Sequence, residues 1–152
     1  MLRKKELDWF YQCGASKIFP DAWEKFLEPI EKENRDDLIS AYHKIFDGDD
    51  EQKKLEAAVA WSRWEASASK LSYKPEIINS FSNPKFALAF ALIENHYFIN
   101  EGFLESENQL ITSDSINKIR HIPTKIIQGR YDIVCPMETA WELYRNWPEA
   151  EL

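Results

Sequence analysis

The sequence predicts a mainly α protein that carries one β-strand towards its C-terminal end. Three observations predict it. Glycine is scarce, with only four among 152 residues. Alanine, leucine, glutamate and lysine, all strong helix formers, fill long stretches, and tryptophan is abundant beside them. One short β-branched segment, Pro123 to Gln128 (PTKIIQ), stands apart from the helical pattern.

The elements follow in order. Leu2 to Gln12 reads as a helix stopped near Gly14. Pro20-Asp21-Ala22 opens a second helix through Phe26, and Pro29 breaks the chain again. Asn34 or Asp36 is the expected cap of a third, whose Leu38, Ile39, Tyr42, Ile45 and Phe46 keep helical spacing. Gly48 and the two aspartates after it form a turn and cap for a fourth helix, Glu51 to Ser69, with Trp61 and Trp64 near its middle. Pro75 and Pro84 punctuate the next stretch. Phe86 to Phe98 (FALAFALIENHYF) is the most apolar helix; it is too short to span a bilayer and is expected to lie buried. A polar loop from Asn100 to Asn108 precedes a small helix, Ser113 to Ile119. After the 123–128 strand, ended by Gly129, Met137 to Trp147 returns to helix. A lone strand leaves its backbone donors and acceptors unpaired, so its ladder partners are expected from outside the sequence.

Length and charge bound the function. The chain is the size of one domain. Nineteen basic against 26 acidic residues give a net charge of −7 and a pI near 5.0, which argues against a nucleic-acid or anionic-membrane partner. No apolar run reaches the ~18 residues of a membrane span, and no signal-peptide pattern opens the chain. Cys13 and Cys135 lie far apart, which predicts neither a disulfide framework nor a zinc site and makes a reducing cytoplasm the expected location. The four scattered glycines exclude a Walker loop, a GxGxxG fingerprint and a GxSxG nucleophile elbow, each of which needs glycines close together.

Three constellations carry chemistry. In Gly129-Arg130-Tyr131-Asp132 an acid sits on the turn leaving a strand, where α/β sheets place functional groups; a turn aspartate making an Asx-type hydrogen bond is the plainer alternative. In Trp61-Ser62-Arg63-Trp64-Glu65 helical spacing puts Trp61 and Glu65 on one face. A carboxylate beside indole rings can bind an organic cation, or can simply pair with a surface base other than Arg63. In Glu94-Asn95-His96-Tyr97-Phe98 a carboxylate and a ring again share a face, and an acid ending an apolar run must be paired or bind something. The three histidines are scattered and do not match HExxH, so no metal site is expected. Cys135 has no visible base to make it a nucleophile and reads as a pocket or packing residue.

Together these residues resemble the proline iminopeptidases, serine peptidases of the α/β-hydrolase fold. The resemblance rests on LRKKELDWFYQ, ASKIFPDAWEKFL, DLISAYHKIF, AWSRWE, FALAFALIENHYFIN, HIPTKIIQGRYDIVCP and AWELYRNWPEAEL, in the family's order and spacing. It implies a helical cap over residues 1–122, and a partial α/β-hydrolase core over residues 123–152 consisting of one strand, the acid-bearing turn and a helix. It further implies that Asp132 matches the acid of the catalytic triad, that Glu65 and Glu94 match cap carboxylates holding the substrate's free α-amino group, and that Phe98 and Cys135 line the pocket for the proline ring. The implied substrate is a peptide with a free N-terminal proline, and no metal or organic cofactor is implied. Family members also carry an HGGPG-like oxyanion loop, a GxSxG-type elbow and a catalytic histidine on a late loop, none of which is present here. The chain therefore reads as a fragment that is inactive alone. A helical interaction module without catalytic function, or the lid of another α/β hydrolase, stand as alternatives.

Overall fold

The computed structural model describes residues 3–72 and 74–152. Among the described residues eight α-helices follow in order: α1 (Lys4–Tyr11), α2 (Pro20–Leu27), α3 (Leu38–Phe46), α4 (Glu51–Ala68), α5 (Pro75–Phe81), α6 (Pro84–Ile99), α7 (Ser113–Ile119) and α8 (Met137–Asn146). Short 3-10 turns at Ala15–Lys17, Lys32–Asn34, Glu101–Phe103 and Gln109–Ile111 connect several of them. The mainly α class read from the sequence is the class observed. Leu2, placed in the first expected helix, lies outside the described residues.

Local chemistry explains the boundaries. At four helices short polar side chains accept from the free N–H groups of the first turn: Asp37 from Ser40 (3.0 Å), Asp50 from Gln52 and Lys53 (both 3.1 Å), Asn83 from Lys85 and Phe86, and Thr112 from Ser115. The cap of α3 is thus Asp37, not Asn34 or Asp36, because only Asp37 immediately precedes the first apolar helical position, Leu38. Pro75 and Pro84 each occupy a first helical turn, where a missing N–H costs nothing. The first of these prolines starts α5, an element that reading it as punctuation alone did not foresee.

Helix α4 is the axis of the molecule, packing against α2, α3, α5 and α6. Its Ala57 and Ala58 are wholly buried, as are Ala87 and Ala91 of α6, so small side chains fill the contact between the two longest helices. Around this contact sits an aromatic core. Phe26 stacks on Tyr42 at 4.8 Å, Tyr11 on Trp61 at 4.6 Å, and Trp64 packs beside Phe10, Trp23 and Phe26. Rings at such separations add about 0.5–1.5 kcal/mol per pair beyond the area they bury. Buried Asn95 fastens α6 to α3, donating to the Ile39 carbonyl at 3.0 Å and meeting His43 Nδ1 at 2.9 Å.

Two expectations need correction. The apolar helix α6 is not enveloped: Ala87, Ala91 and Asn95 face inwards, while Phe86, Leu92, Ile93 and Tyr97 stay exposed, Ile93 to 60%. Its hydrophobicity extends around most of its circumference, whereas its neighbours cover only one stripe. The 123–128 segment, moreover, finds one partner inside the chain. Ile126 N–H donates to the Glu151 carbonyl (2.7 Å) and Glu151 N–H to the Thr124 carbonyl (3.0 Å), closing a single parallel bridge. Among the described residues that bridge does not extend into a ladder. Ile126 packs onto a second, smaller apolar cluster of Ile116, Leu143, Trp147 and Ala150.

The two ends of the chain meet. Arg3, almost wholly buried, binds Glu6 of α1 and Glu142 of α8, and Lys5 also pairs with Glu142. This clasp sets α8, and the turn before it, against α1.

Candidate functional site

The acid Glu65 lies in the last turn of α4, and Glu94 lies in the second half of α6. Because α4 and α6 pack side by side, the two carboxylates converge on one side of the contact. They share a cavity of about 270 Å³ with Glu6, Leu7, Phe10 and Tyr11 of α1, Phe98 of α6, Thr139 of α8, and Val134, Cys135 and Pro136 of the turn before it. Four of the five residues singled out in the sequence, Glu65, Glu94, Phe98 and Cys135, are therefore brought together from three distant stretches of chain.

The acids are held by neutral donors. The Tyr11 phenol donates to Glu65 Oε1, and the Trp61 indole N–H donates to Glu94 Oε2 at 2.9 Å. The ion pairs among the described residues involve neither carboxylate, so Glu65 is not paired with a surface base. Burial disfavours a charge that no cation offsets. It pushes the Glu65 carboxyl well above the usual carboxylate range, and the neighbouring Glu94 charge raises it further, against the lowering effect of the Tyr11 hydrogen bond. Burial also raises Glu94, opposed by hydrogen bonds from Trp61 and Tyr11. Tyr11 rises in turn through its own burial and the two adjacent acids, so its phenol stays a donor. The third acid of the cavity differs. Glu6 accepts from Arg3 and from the Thr139 hydroxyl (2.9 Å), and despite burial these partners hold it below the usual range.

The remainder of the lining is apolar and soft. Phe98 lies 5.1 Å from the Tyr11 ring and 6.0 Å from that of Trp61. The Cys135 thiol is raised by burial first and by the Asp132 charge next, which keeps it protonated and uncharged beside them. The arrangement presents two unneutralised acids at one side of a small pocket and a ring and a thiol at another. Its chemical complement is an ammonium attached to a compact apolar group.

Asp132 lies outside this cavity, in an adjoining open groove with Gly129, Tyr131, Ile18, Phe19 and Leu71. Glu65, Val134 and Cys135 line both spaces and form the wall between them. The aspartate is exposed and braces its own turn: Oδ1 accepts from Cys135 N–H (2.8 Å) and Oδ2 from the Gln128 amide (3.1 Å). The Asx-type geometry anticipated as the plainer reading is therefore present. Gln128 also donates to the Cys135 carbonyl (2.8 Å), and Trp9 Nε1 donates to the Ile133 carbonyl (2.8 Å), fixing the turn to α1. Trp9 is seated in turn by Gly14, where a Cβ would fall 2.6 Å from the Trp9 carbonyl oxygen.

Sequence reasoning missed Tyr11, Trp61 as a donor, Glu6, Thr139 and Gln128. Leu7, Phe10 and Tyr11, at helical spacing, signalled a buried face on α1 but could not say that acids lie across from it. The described residues hold no group of three or more His, Cys, Asp or Glu placed to hold a metal ion, and no helix among them is long and apolar enough to cross a membrane.

Comparison with known proteins adds a second line of observation. No family model matches the chain. Over all 152 residues it is 53% identical to a probable proline iminopeptidase of Leptolyngbya boryana and 52% identical to a proline iminopeptidase of Xylella fastidiosa. Along its whole length the chain is a relative of the proline iminopeptidases. It is also 51% identical over 153 aligned positions to the proline iminopeptidase of Arabidopsis thaliana. It spans 47%, 48% and 40% of these three relatives, roughly half the length of each.

Proposed function

We propose that the chain supplies the amine-binding cap and the triad acid of a proline iminopeptidase, a serine aminopeptidase that removes N-terminal proline from peptides. One observation carries this reading. Two acids without a cation, Glu65 buried and Glu94 partly so, face a pocket of about 270 Å³ that also presents Phe98 and Cys135, in a chain similar throughout to proline iminopeptidases. Glu65 and Glu94 bind the free α-amino group, and the ring and thiol enclose the pyrrolidine. A neutral ester would not repay the burial of two carboxylates, which favours an amine substrate over the ligands of other α/β-hydrolase lids.

In this reading residues 1–122 form the cap and residues 123–152 part of an α/β core. The scissile amide extends from the cavity past Cys135 towards the groove of Asp132. There Asp132 orients and supports a catalytic histidine carried by another part of the enzyme. A serine nucleophile, also from outside this chain, attacks the carbonyl and releases proline by acyl transfer. In this reading the enzyme is cytoplasmic, a reducing compartment in which Cys13 and Cys135 stay unpaired.

Calorimetry with prolinamide and N-acetylprolinamide tests the pocket. The purified chain is expected to bind the free amine and not the blocked one, and Glu94→Gln to weaken that binding about 10–100-fold, the worth of a hydrogen bond to a charged group. Equal affinity for both ligands would remove the amine role. Proline released from a proline arylamide by the 152-residue chain alone would overturn the assignment of the nucleophile elsewhere.

A further inference from the structure

The groove beside Asp132 carries positive charge that the amine cavity lacks. Its volume is about 790 Å³, and two stretches of chain supply most of its lining: the end of α4 with the residues after it, and the 129–135 turn. Glu65, Val134 and Cys135 form the wall it shares with the cavity. Outside that wall the lining changes character. Lys70 and Arg130 bring two cations into the groove, and both side chains are exposed. The ion pairs among the described residues involve neither of them. Asp132, the acid nearest them in sequence, spends its oxygens on the Cys135 N–H and the Gln128 amide. Between the charges lie apolar side chains left open to solvent, Leu71 at 88%, Tyr131 at 74% and Ile18.

Two joined spaces thus offer acids without a cation and cations without an acid. A ligand that satisfies both carries an ammonium and a carboxylate in one molecule. With an N-terminal proline in the cavity, the residue after it enters the groove, where Leu71, Tyr131 and Ile18 can cover an apolar side chain. If that residue is also the last, its free carboxylate lies among Lys70 and Arg130; in a longer peptide an uncharged amide takes its place. A guanidinium matches a carboxylate with paired donors, and an ammonium adds a point charge. We infer that the Lys70/Arg130 groove is a carboxylate-recognising subsite, which selects dipeptides of proline followed by an apolar residue with a free C-terminus. The inference rests on the functional reading above and names the substrate class within it.

Calorimetry on the purified chain tests it, with prolyl-leucine, prolyl-leucine amide and prolylglycine as ligands. Prolyl-leucine is expected to bind about three- to tenfold more tightly than its amide, the worth of exposed ion pairs, and the gap is expected to shrink in high salt. Prolylglycine, lacking the apolar side chain, is expected to bind about threefold more weakly than prolyl-leucine. Lys70→Gln/Arg130→Gln should erase the gap between prolyl-leucine and its amide. Lys85→Gln/Lys118→Gln, which removes two exposed charges elsewhere, should keep it. Equal affinity for dipeptide and amide, a gap that survives in Lys70→Gln/Arg130→Gln, or equal affinity for prolylglycine and prolyl-leucine would each overturn the inference. Were N-acetylprolyl-leucine to bind as well as prolyl-leucine while the carboxylate gap persisted, the subsite would stand and the amine role of Glu65 and Glu94 would fall. Failure of every ligand to bind would overturn both.

Discussion

The acids of the α4–α6 cavity and the acid of the 129–135 turn are the same functional group in opposite settings. Glu65 is 8% exposed, and its partner is a phenol rather than a cation, in a wall of aromatic rings. Asp132 is open to solvent and satisfied by a backbone amide and a side-chain amide. The difference teaches how one fold gives carboxylates two opposite electrostatic settings. A largely buried pair held only by neutral donors stays short of positive charge, the property on which the proposed amine-binding role rests. An exposed acid whose turn is locked from three sides keeps its direction and leaves lone pairs for a further donor.

Substitutions can break or sharpen this contrast. The largest effect is expected at Trp61, wholly buried between Tyr11, Tyr42 and Phe98 and donor to Glu94. Trp61→Ala should cost about 3–5 kcal/mol in denaturant unfolding, because it opens a cavity in the aromatic core. A loss under 1 kcal/mol would show that the core does not depend on it. Tyr11→Phe keeps the ring and deletes the donor, leaving Glu65 without its phenol. A loss of about 1–3 kcal/mol is expected, smaller at acid pH where the carboxyl carries its own proton.

The pH dependence of stability separates the regions further. Glu65 and Glu94 have folded pKa values above their unfolded ones, so the folded chain binds more protons. Their contribution is complete below the ordinary carboxylate range and is lost as pH rises through the raised values. Unfolding midpoints should therefore fall on going from pH 5 to pH 9, and Glu65→Gln, which has no proton to lose, should flatten that fall. A wild-type curve that rises over this interval would contradict the arrangement. Prolinamide, by supplying the missing cation, should stabilise the chain most at the alkaline end.

The smallest effect on folding is expected at Asp132. Asp132→Asn retains an acceptor for Cys135 N–H at an exposed site, so stability should change by less than about 1 kcal/mol. In an enzyme that includes the portion this chain does not span, the same substitution should lower kcat by about 10⁴-fold, since a triad acid fixes the histidine's tautomer and charge. Retained kcat would demote Asp132 to a turn residue.

The contrast was only partly legible in the sequence. Helical spacing placed Glu65 with Trp61, and Glu94 with Phe98, because neighbours four apart share a face whatever surrounds the helix. The same rule gave no way to see that the Trp61 indole reaches Glu94 rather than Glu65, since that bond crosses between helices. Nor did it show that Glu6, also in the cavity, is neutralised, because its cation and hydroxyl come from residues 3 and 139, at the two ends of the chain. The apolar run of α6 was read as a buried helix. Periodicity reports how hydrophobic a helix is around its axis, not how many neighbours arrive to cover it.

What the sequence determined by itself is local: every α-helix but α5, the Asp50 cap of α4, the extended 123–128 segment, the turn at Asp132, and the residues that resemble an amine-binding cap. These follow from backbone sterics, side-chain entropy and short-range hydrogen bonds, which act within a few residues. Tertiary structure alone decided that Glu65 and Glu94 share one cavity without a cation, that Cys135 walls it off from Asp132, and that Glu151 takes one edge of the 124–128 segment. Those outcomes depend on which helix faces pack together, and burial is a property of the assembled core that no single stretch of chain contains.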